Sequence, residues 1–224
     1  MRNPYELPYL GSATAAKSGL LAKVAGLLAF SMAFTAAGAV VGLRVPQVSF
    51  IAILGVLVLS FVLGFVRNVA GLNLILMYTL TTLMGVGLGG ILDVYLSAGA
   101  GAVVVQAAGT TGLLTVGLAA YALTTKRDFS NLGGKLLVAL LALIAASIVG
   151  IFIQATILQM VIGFAGAVLF SLYLIYQIQM TRYAEDTLPN AIILAVGIYM
   201  SIVNLFLSLL RIFSMTGGGG SSRR

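Results

Sequence analysis

Gly197, Ser201, Asn204, Ser208 and Arg211 recur at steps of four, three, four and three. At 100° per residue the five fall within about 40° of one line on a helix, and Ile198, Ile202, Leu205 and Leu209 lie nearby on the greasy remainder of the surface. Two hydroxyl donors, an amide and a guanidinium in one row have two uses in an apolar environment. They can join neighbouring helices by hydrogen bonds, each worth about 1 kcal/mol or less, or they can line a path for an ion or a proton. Ser171, Tyr173, Tyr176, Gln177 and Gln179 form a second polar set just upstream that can face the first. The chain has neither cysteine nor histidine, which excludes thiol catalysis, a histidine-based triad and the usual zinc ligands. A metal would depend on oxygen ligands from Tyr, Ser, Thr, Asn, Gln, main-chain carbonyls and Asp93, a poor set for tight divalent binding. No metal site and no cofactor are therefore assigned, and no nucleophile–base pair points to an enzyme.

The elements that must position these residues follow from composition. Of the 224 residues, 61% are hydrophobic and 8% charged, against about a quarter charged in a soluble domain. Charge-free stretches cover 24–43, 45–66, 68–92, 94–125, 136–181 and 187–210, each long enough to cross a bilayer, for which about 20 apolar residues suffice. The stretch 94–125 opens on Ser97-Ala98-Gly99-Ala100-Gly101, which reads as a loop. The stretch 136–181 would extend about 69 Å as one helix, enough for two crossings, with the break expected at Gln154-Ala155-Thr156. The fold class is thus all-α: a polytopic membrane protein with transmembrane helices near 24–43, 48–66, 69–92, 102–125, 136–153, 157–180 and 188–214. Residues 1–23 are expected to form a short cytoplasmic tail and residues 215–224 a flexible Gly/Ser tail with no function.

The net charge of +7 could suggest a nucleic-acid reader, but its distribution is that of an orientation signal, and no nucleic-acid partner is expected. With the N-terminus in the cytoplasm, the inner segments hold Arg2, Lys17, Lys23, Arg67, Lys126, Arg127, Lys135 and Arg182, and the outer ones Arg44, Arg223 and Arg224. Basic residues accumulate on the cytoplasmic side, so the C-terminus is expected outside. A re-entrant last segment would instead return it to the cytoplasm. Small residues at four-residue spacing supply helix contacts: Gly38 and Gly42, Gly85 and Gly89, Ala142, Ala146 and Gly150, and Gly163, Ala167 and Ser171. The run Gly85-Val-Gly-Leu-Gly-Gly90 belongs with these contacts. It lacks the preceding strand and the following Lys-Ser/Thr of a phosphate cradle.

The run Phe170-Ser-Leu-Tyr-Leu-Ile-Tyr176, the connection Glu185-Asp186-Thr-Leu-Pro189, then Ile198-Tyr199 and Asn204-Leu-Phe-Leu-Ser-Leu-Leu-Arg-Ile212 resemble the Bax inhibitor-1 family, also called transmembrane Bax inhibitor motif proteins. Leu123-Thr-Thr-Lys-Arg-Asp-Phe-Ser-Asn-Leu-Gly-Gly134 and Ile91-Leu-Asp-Val-Tyr-Leu-Ser-Ala98 look most like the bacterial subgroup whose named member modulates the membrane-anchored AAA protease FtsH. The resemblance spans about residues 20–213 and is most specific in the last two helices. It implies a central seventh helix surrounded by the other six and, in some members, a pH-sensitive calcium leak governed by paired aspartates on the sixth and seventh helices. Those positions are Gln177 and Ser201 here, and neither titrates between about pH 5 and 8. Arg67 matches the family's basic residue after the second helix, a latch against the sixth helix whose carboxylate partner is missing.

Three functions remain open at this level. The first is modulation of a membrane-bound AAA protease or of membrane-protein quality control in the bacterial inner membrane. The second is a calcium or other ion leak lined by Gln177, Ser201, Asn204, Ser208 and Arg211. The third is an accessory subunit of a larger membrane complex.

Overall fold

A computed structural model of the chain describes residues 9–66, 69, 71–153 and 155–217, with side chains from residue 19 to 216. The described residues form seven α-helices: α1 (Tyr9–Arg44), α2 (Ser49–Phe65), α3 (Leu72–Ser97), α4 (Gly101–Thr124), α5 (Gly133–Phe152), α6 (Thr156–Met180) and α7 (Leu188–Gly217). Single turns of 3-10 helix at Pro46–Val48 and Ser130–Leu132 precede α2 and α5. All seven helices are long and apolar enough to cross a membrane. The expected Gln154 of the α5–α6 break lies outside the described residues, but α5 ends at Phe152 and α6 starts at Thr156 on either side of it.

Two helix ends depart from the expected ones for the same reason. The first helix begins at Tyr9 rather than near 24, and the third runs to Ser97 rather than 92, past Asp93. A charge marks where hydrocarbon ends, but it does not interrupt backbone hydrogen bonding. Residues 9–23 contain no proline, and most of them are leucine, alanine or lysine, good helix formers. The third helix stops where Gly99 adopts φ +73°. There the Ala100 N–H donates to the Tyr95 carbonyl at 2.9 Å and the Gly99 N–H to that of Leu96 at 3.0 Å, the paired bonds of a glycine-terminated helix.

Interhelical pairs fix the direction of each helix. On α1 and α3 the approaching positions rise together: Thr35 lies against Gly85, Gly38 against Thr82 and Val86, and Gly42 against Val86 and Gly89. The two are therefore parallel, as helices separated by one return crossing must be. Against α6 the sequence numbers run oppositely for both neighbours, with Gly133 of α5 beside Tyr176 and Gly150 beside Ile162, and Gly163 beside Ile212 of α7 and Gln177 beside Gly197. This alternation is the one that seven successive crossings require. As one unbroken helix of 30 residues, α7 is about 45 Å long, well beyond a hydrocarbon core about 30 Å thick.

The central position of α7 follows from its surroundings. It packs on α1, α3, α4 and α6, whereas α2 rests mainly on α3 and α5 on α6. Four helices rather than six thus form its immediate ring, with α2 and α5 outside. Its buried residues divide between three clusters: Ala191, Ala195 and Ile198 pack with Leu20, Met77 and Leu174; Tyr199 and Val203 with Val56 and Leu80; Leu205 and Leu210 with Ala107. The outward faces of the bundle carry exposed Phe50, Phe61, Leu113, Ile151 and Phe152, as expected where lipid is the solvent.

The small residues do the work expected of them most clearly between α1 and α3. A β-carbon on Gly38 would fall on the Thr82 carbonyl oxygen, one on Gly42 on that of Val86, one on Gly85 on that of Thr35 and one on Gly89 on that of Ala39. The two backbones touch directly. Gly87 and Gly90 turn the other way, toward Ile53 and Ser49 of α2, so the glycine run of α3 serves two neighbours. On α5 the pattern is only partly used: Gly150 is buried against α6, while Ala142 is exposed.

Candidate functional site

Because α5 rests on α6 and stands off from α7, a groove of about 530 Å³ opens between them with α6 as its floor. The polar row of α7 points into it. Gly197, Ser201, Asn204, Ser208 and Arg211 all line the groove, as do Tyr173 and Gln177 of α6. The facing wall, from α5, is apolar except for Ser147, and includes Leu140, Leu143 and Ile148.

At the end nearest the α6–α7 connection, Ser201 Oγ donates to Gln177 Oε1 at 3.0 Å and lies 3.0 Å from the Gly197 carbonyl. Gly197 lets the amide lie close to α7, since a β-carbon there would come 2.7 Å from Gln177 Nε2 and displace the end of that side chain. The two positions at which the family resemblance expects aspartates are therefore in direct contact, bridged by a neutral hydrogen bond. Further along, Asn204 Nδ2 donates to the Met200 carbonyl and Ser208 Oγ to that of Asn204, both at 2.8 Å. The Ser201–Gln177 bond thus joins two helices, while Asn204 and Ser208 use their donors within α7. Ser208 reaches α6 by packing, since a β-carbon on Gly166 would lie 2.5 Å from its Oγ. Arg211 closes the row against Gly163, with its Cδ 3.6 Å from where a β-carbon there would sit. Its guanidinium makes no hydrogen bond or ion pair among the described residues, while its main-chain carbonyl accepts from Ser214 Oγ at 2.8 Å. No carboxylate lines the groove, so its one formal charge is positive.

Several polar contacts away from the groove hold α7 and the connections in place. Tyr199, fully buried, meets Thr35 Oγ1 through its hydroxyl at 2.7 Å, and Thr35 donates within α1 to Ser31 or across to Thr81 of α3. This links α7, α1 and α3. Tyr199→Phe is expected to lower unfolding stability in detergent by about 1 kcal/mol, the usual net value of such a bond; an unchanged thermal midpoint would show that the hydroxyl contributes nothing. Gln179 grips the α4–α5 connection from both sides, accepting from the Phe129 N–H and donating to the Arg127 carbonyl, each at 2.8 Å. Arg182 donates to the final carbonyls of α4, those of Ala122 and Leu123. Lys23 of α1 pairs with Asp186 of the α6–α7 connection at 2.9 Å. In the α4–α5 connection, the Ser130 backbone N–H donates to Asp128 at 2.8 Å and holds this exposed carboxyl below its ordinary range. A depressed pKa stabilises the turn above the ordinary carboxylate value, and that contribution disappears as pH falls through the folded value.

Five of the six site residues expected from sequence, Gln177, Ser201, Asn204, Ser208 and Arg211, are brought together along one groove. The sixth, Arg67, lies outside the described residues. Gln179 belongs to the connection clamp instead of the groove. Sequence reasoning missed the α5 wall, because a helix whose residues beyond Lys135 are apolar but for Ser147 carries little mark of which face meets lipid and which meets a groove. The roles of Thr35 and Arg182 were equally hidden, although an arginine just beyond α6 could have suggested a partner at a helix C-terminus.

A profile of the family described as Bax1-I, Inhibitor of apoptosis-promoting Bax1, matches residues 17–218. An uncharacterized protein of Pseudomonas aeruginosa is 38% identical over 206 residues, covering 90% of this chain and 91% of its own. The Modulator of FtsH protease YccA of Escherichia coli is 34% identical over 135 residues, 60% of this chain and 61% of that one. Protein lifeguard 4 of Mus musculus is 33% identical over 171 residues, 74% and 68% respectively.

Proposed function

Because the chain belongs to the Bax1-I family, a family of membrane proteins, we propose that it is a regulatory member that modulates a membrane-bound AAA protease and so the turnover of other membrane proteins. The observation that carries this reading is the likeness to a relative named as a modulator of the FtsH protease. The neutral contact between Gln177 and Ser201 supports it over a proton-gated leak, since nothing in that contact titrates near neutrality. The same reading places the chain in the bacterial inner membrane, as a relative's name does for that relative. The excess of basic residues on one side puts the N-terminus in the cytoplasm, and seven crossings then put the C-terminus outside. Residues 1–18, ahead of the membrane-spanning part of α1 that begins at Gly19, become a segment that a protease could engage.

Two measurements test this in cells. Native pull-down from membranes should recover a membrane-anchored AAA protease, and the half-life of its membrane substrates should change severalfold on removal of the chain. Deleting residues 2–18 should abolish that change or alter the chain's own turnover. Unaltered substrate half-lives in both strains would refute the protease reading, and recovery of a different stoichiometric complex would indicate an accessory subunit instead. The polar lining of the groove favours one second reading, a leak for calcium or another ion. Reconstituted vesicles would then show a flux that Asn204→Leu reduces, and wild-type vesicles without flux would eliminate it.

A further inference from the structure

The groove between α5 and α7 has the form of a lipid site, and we propose that it holds one acyl chain of an anionic phospholipid whose phosphate rests on Arg211. This inference is independent of the protease reading. Its first support is charge. Arg211 is partly buried at one end of the groove, its guanidinium has no partner among the described residues, and it faces a lining that contains no carboxylate. A guanidinium so placed selects a phosphate, which it can bind through two parallel hydrogen bonds.

Depth is the second support. Six residues separate Arg211 from the end of α7, about 9 Å of helix. A helix about 45 Å long, centred on a core about 30 Å thick, extends about 7 to 8 Å beyond it at each end. Arg211 then lies at the boundary between hydrocarbon and headgroups, the level a phospholipid phosphate can reach with modest help from a long side chain.

The third support is size. From Gly197 to Arg211 the groove runs about 21 Å along α7. Its volume of about 530 Å³ spread over that length makes it long and narrow, the shape of a single extended hydrocarbon chain. The wall opposite the polar row is hydrocarbon apart from Ser147, and Ile144 and Ile148 at its edge are exposed, leaving a route for lateral entry from the bilayer. The polar row tolerates a hydrocarbon occupant because Ser201, Asn204 and Ser208 already donate to the protein.

The experiment is native mass spectrometry of the full chain released from bilayers of equal phosphatidylglycerol and phosphatidylcholine. Wild type should retain one phosphatidylglycerol in preference to phosphatidylcholine, an arm that needs no substitution. Arg211→Gln should reduce that retention about tenfold, the loss expected for charge-assisted hydrogen bonds. Ser147→Phe, which fills the groove from α5 and leaves the guanidinium intact, should reduce it similarly. Lys135→Gln, on a separate apolar groove between α5 and α6, should retain lipid as wild type does. Equal retention of the two lipids by wild type would overturn the proposal, as would displacement of phosphatidylglycerol by soluble glycerol phosphate, which would mark a site for the anion alone. Undiminished retention in a folded Arg211→Gln protein would do the same.

Discussion

Replacing Gln177 and Ser201 together by aspartate is expected to make a pH-indifferent protein unstable toward neutral and alkaline pH. The parent contact is 3.0 Å long and Ser201 is buried. Two carboxylates so close cannot both ionise cheaply, and partial burial acts in the same direction, so at least one has a folded pKa well above its unfolded value of about 3.9. For a carboxyl raised on folding, the protonated form is the one the fold tolerates. Stability is then fullest below the unfolded value and is lost as pH rises through the folded one. A rise of about 2 to 3 units costs about 3 to 4 kcal/mol once both groups must ionise. The thermal midpoint of the double variant in detergent should therefore fall steeply between about pH 5 and 8, whereas the wild type, with no histidine, should change little there. If the groove conducts, calcium or proton flux through vesicles of the variant should acquire pH dependence in the same window. A flat stability profile for a folded double variant would mean that these two positions do not form the contact described.

The second large effect is expected at the joint between α1 and α3. In Gly85→Ala the added carbon would land on the Thr35 carbonyl, and in Gly89→Ala on that of Ala39. Backbone atoms cannot rotate aside, so the helices must separate, and Thr35 withdraws from its bond to Tyr199. Overpacking costs about 1 to 3 kcal/mol at a site, and each of these should lie near the top of that range. Gly64→Ala on α2 is the matched control, because nothing lies within 4 Å of its added carbon; it should remain within about 0.5 kcal/mol of wild type. Thermal unfolding of the three variants in one detergent decides the matter. A Gly85→Ala protein as stable as Gly64→Ala would show that the close joint is not required.

Much of this architecture was legible before any coordinates, for a physical reason: hydrocarbon admits few charges, so the positions of Arg44, Asp93, Lys126 and Arg182 mark where crossings end. The same rule misplaced the start of α1 and the end of α3, because helices continue past the lipid boundary, as α3 does until a left-handed glycine stops it. The polar row of α7 was legible through its helical spacing, which put Ser201 and Arg211 on one face. Which surface the row would face was not. That depends on α5 leaning on α6 alone, and the side chains of α5, apolar apart from Lys135 and Ser147, are equally suited to lipid, to a neighbouring helix or to a groove. The pairing of Gly38 and Gly42 with Gly85 and Gly89 was similarly hidden, since every small-residue face is a potential partner for every other.

The central place of α7 sets a timetable for biogenesis. Tyr199 is made 164 residues after the Thr35 it bonds, roughly 10 to 30 s later at ordinary synthesis rates. Through that interval α1, α3, α4 and α6 have crossed the membrane with no axis to gather around, and Gln177 has no Ser201 to answer it. The chain that is synthesised first must wait for the piece made last. A nascent or truncated copy lacking α7 is thus a loose set of helices with unanswered polar groups in lipid, the kind of unfinished membrane protein that cellular surveillance removes.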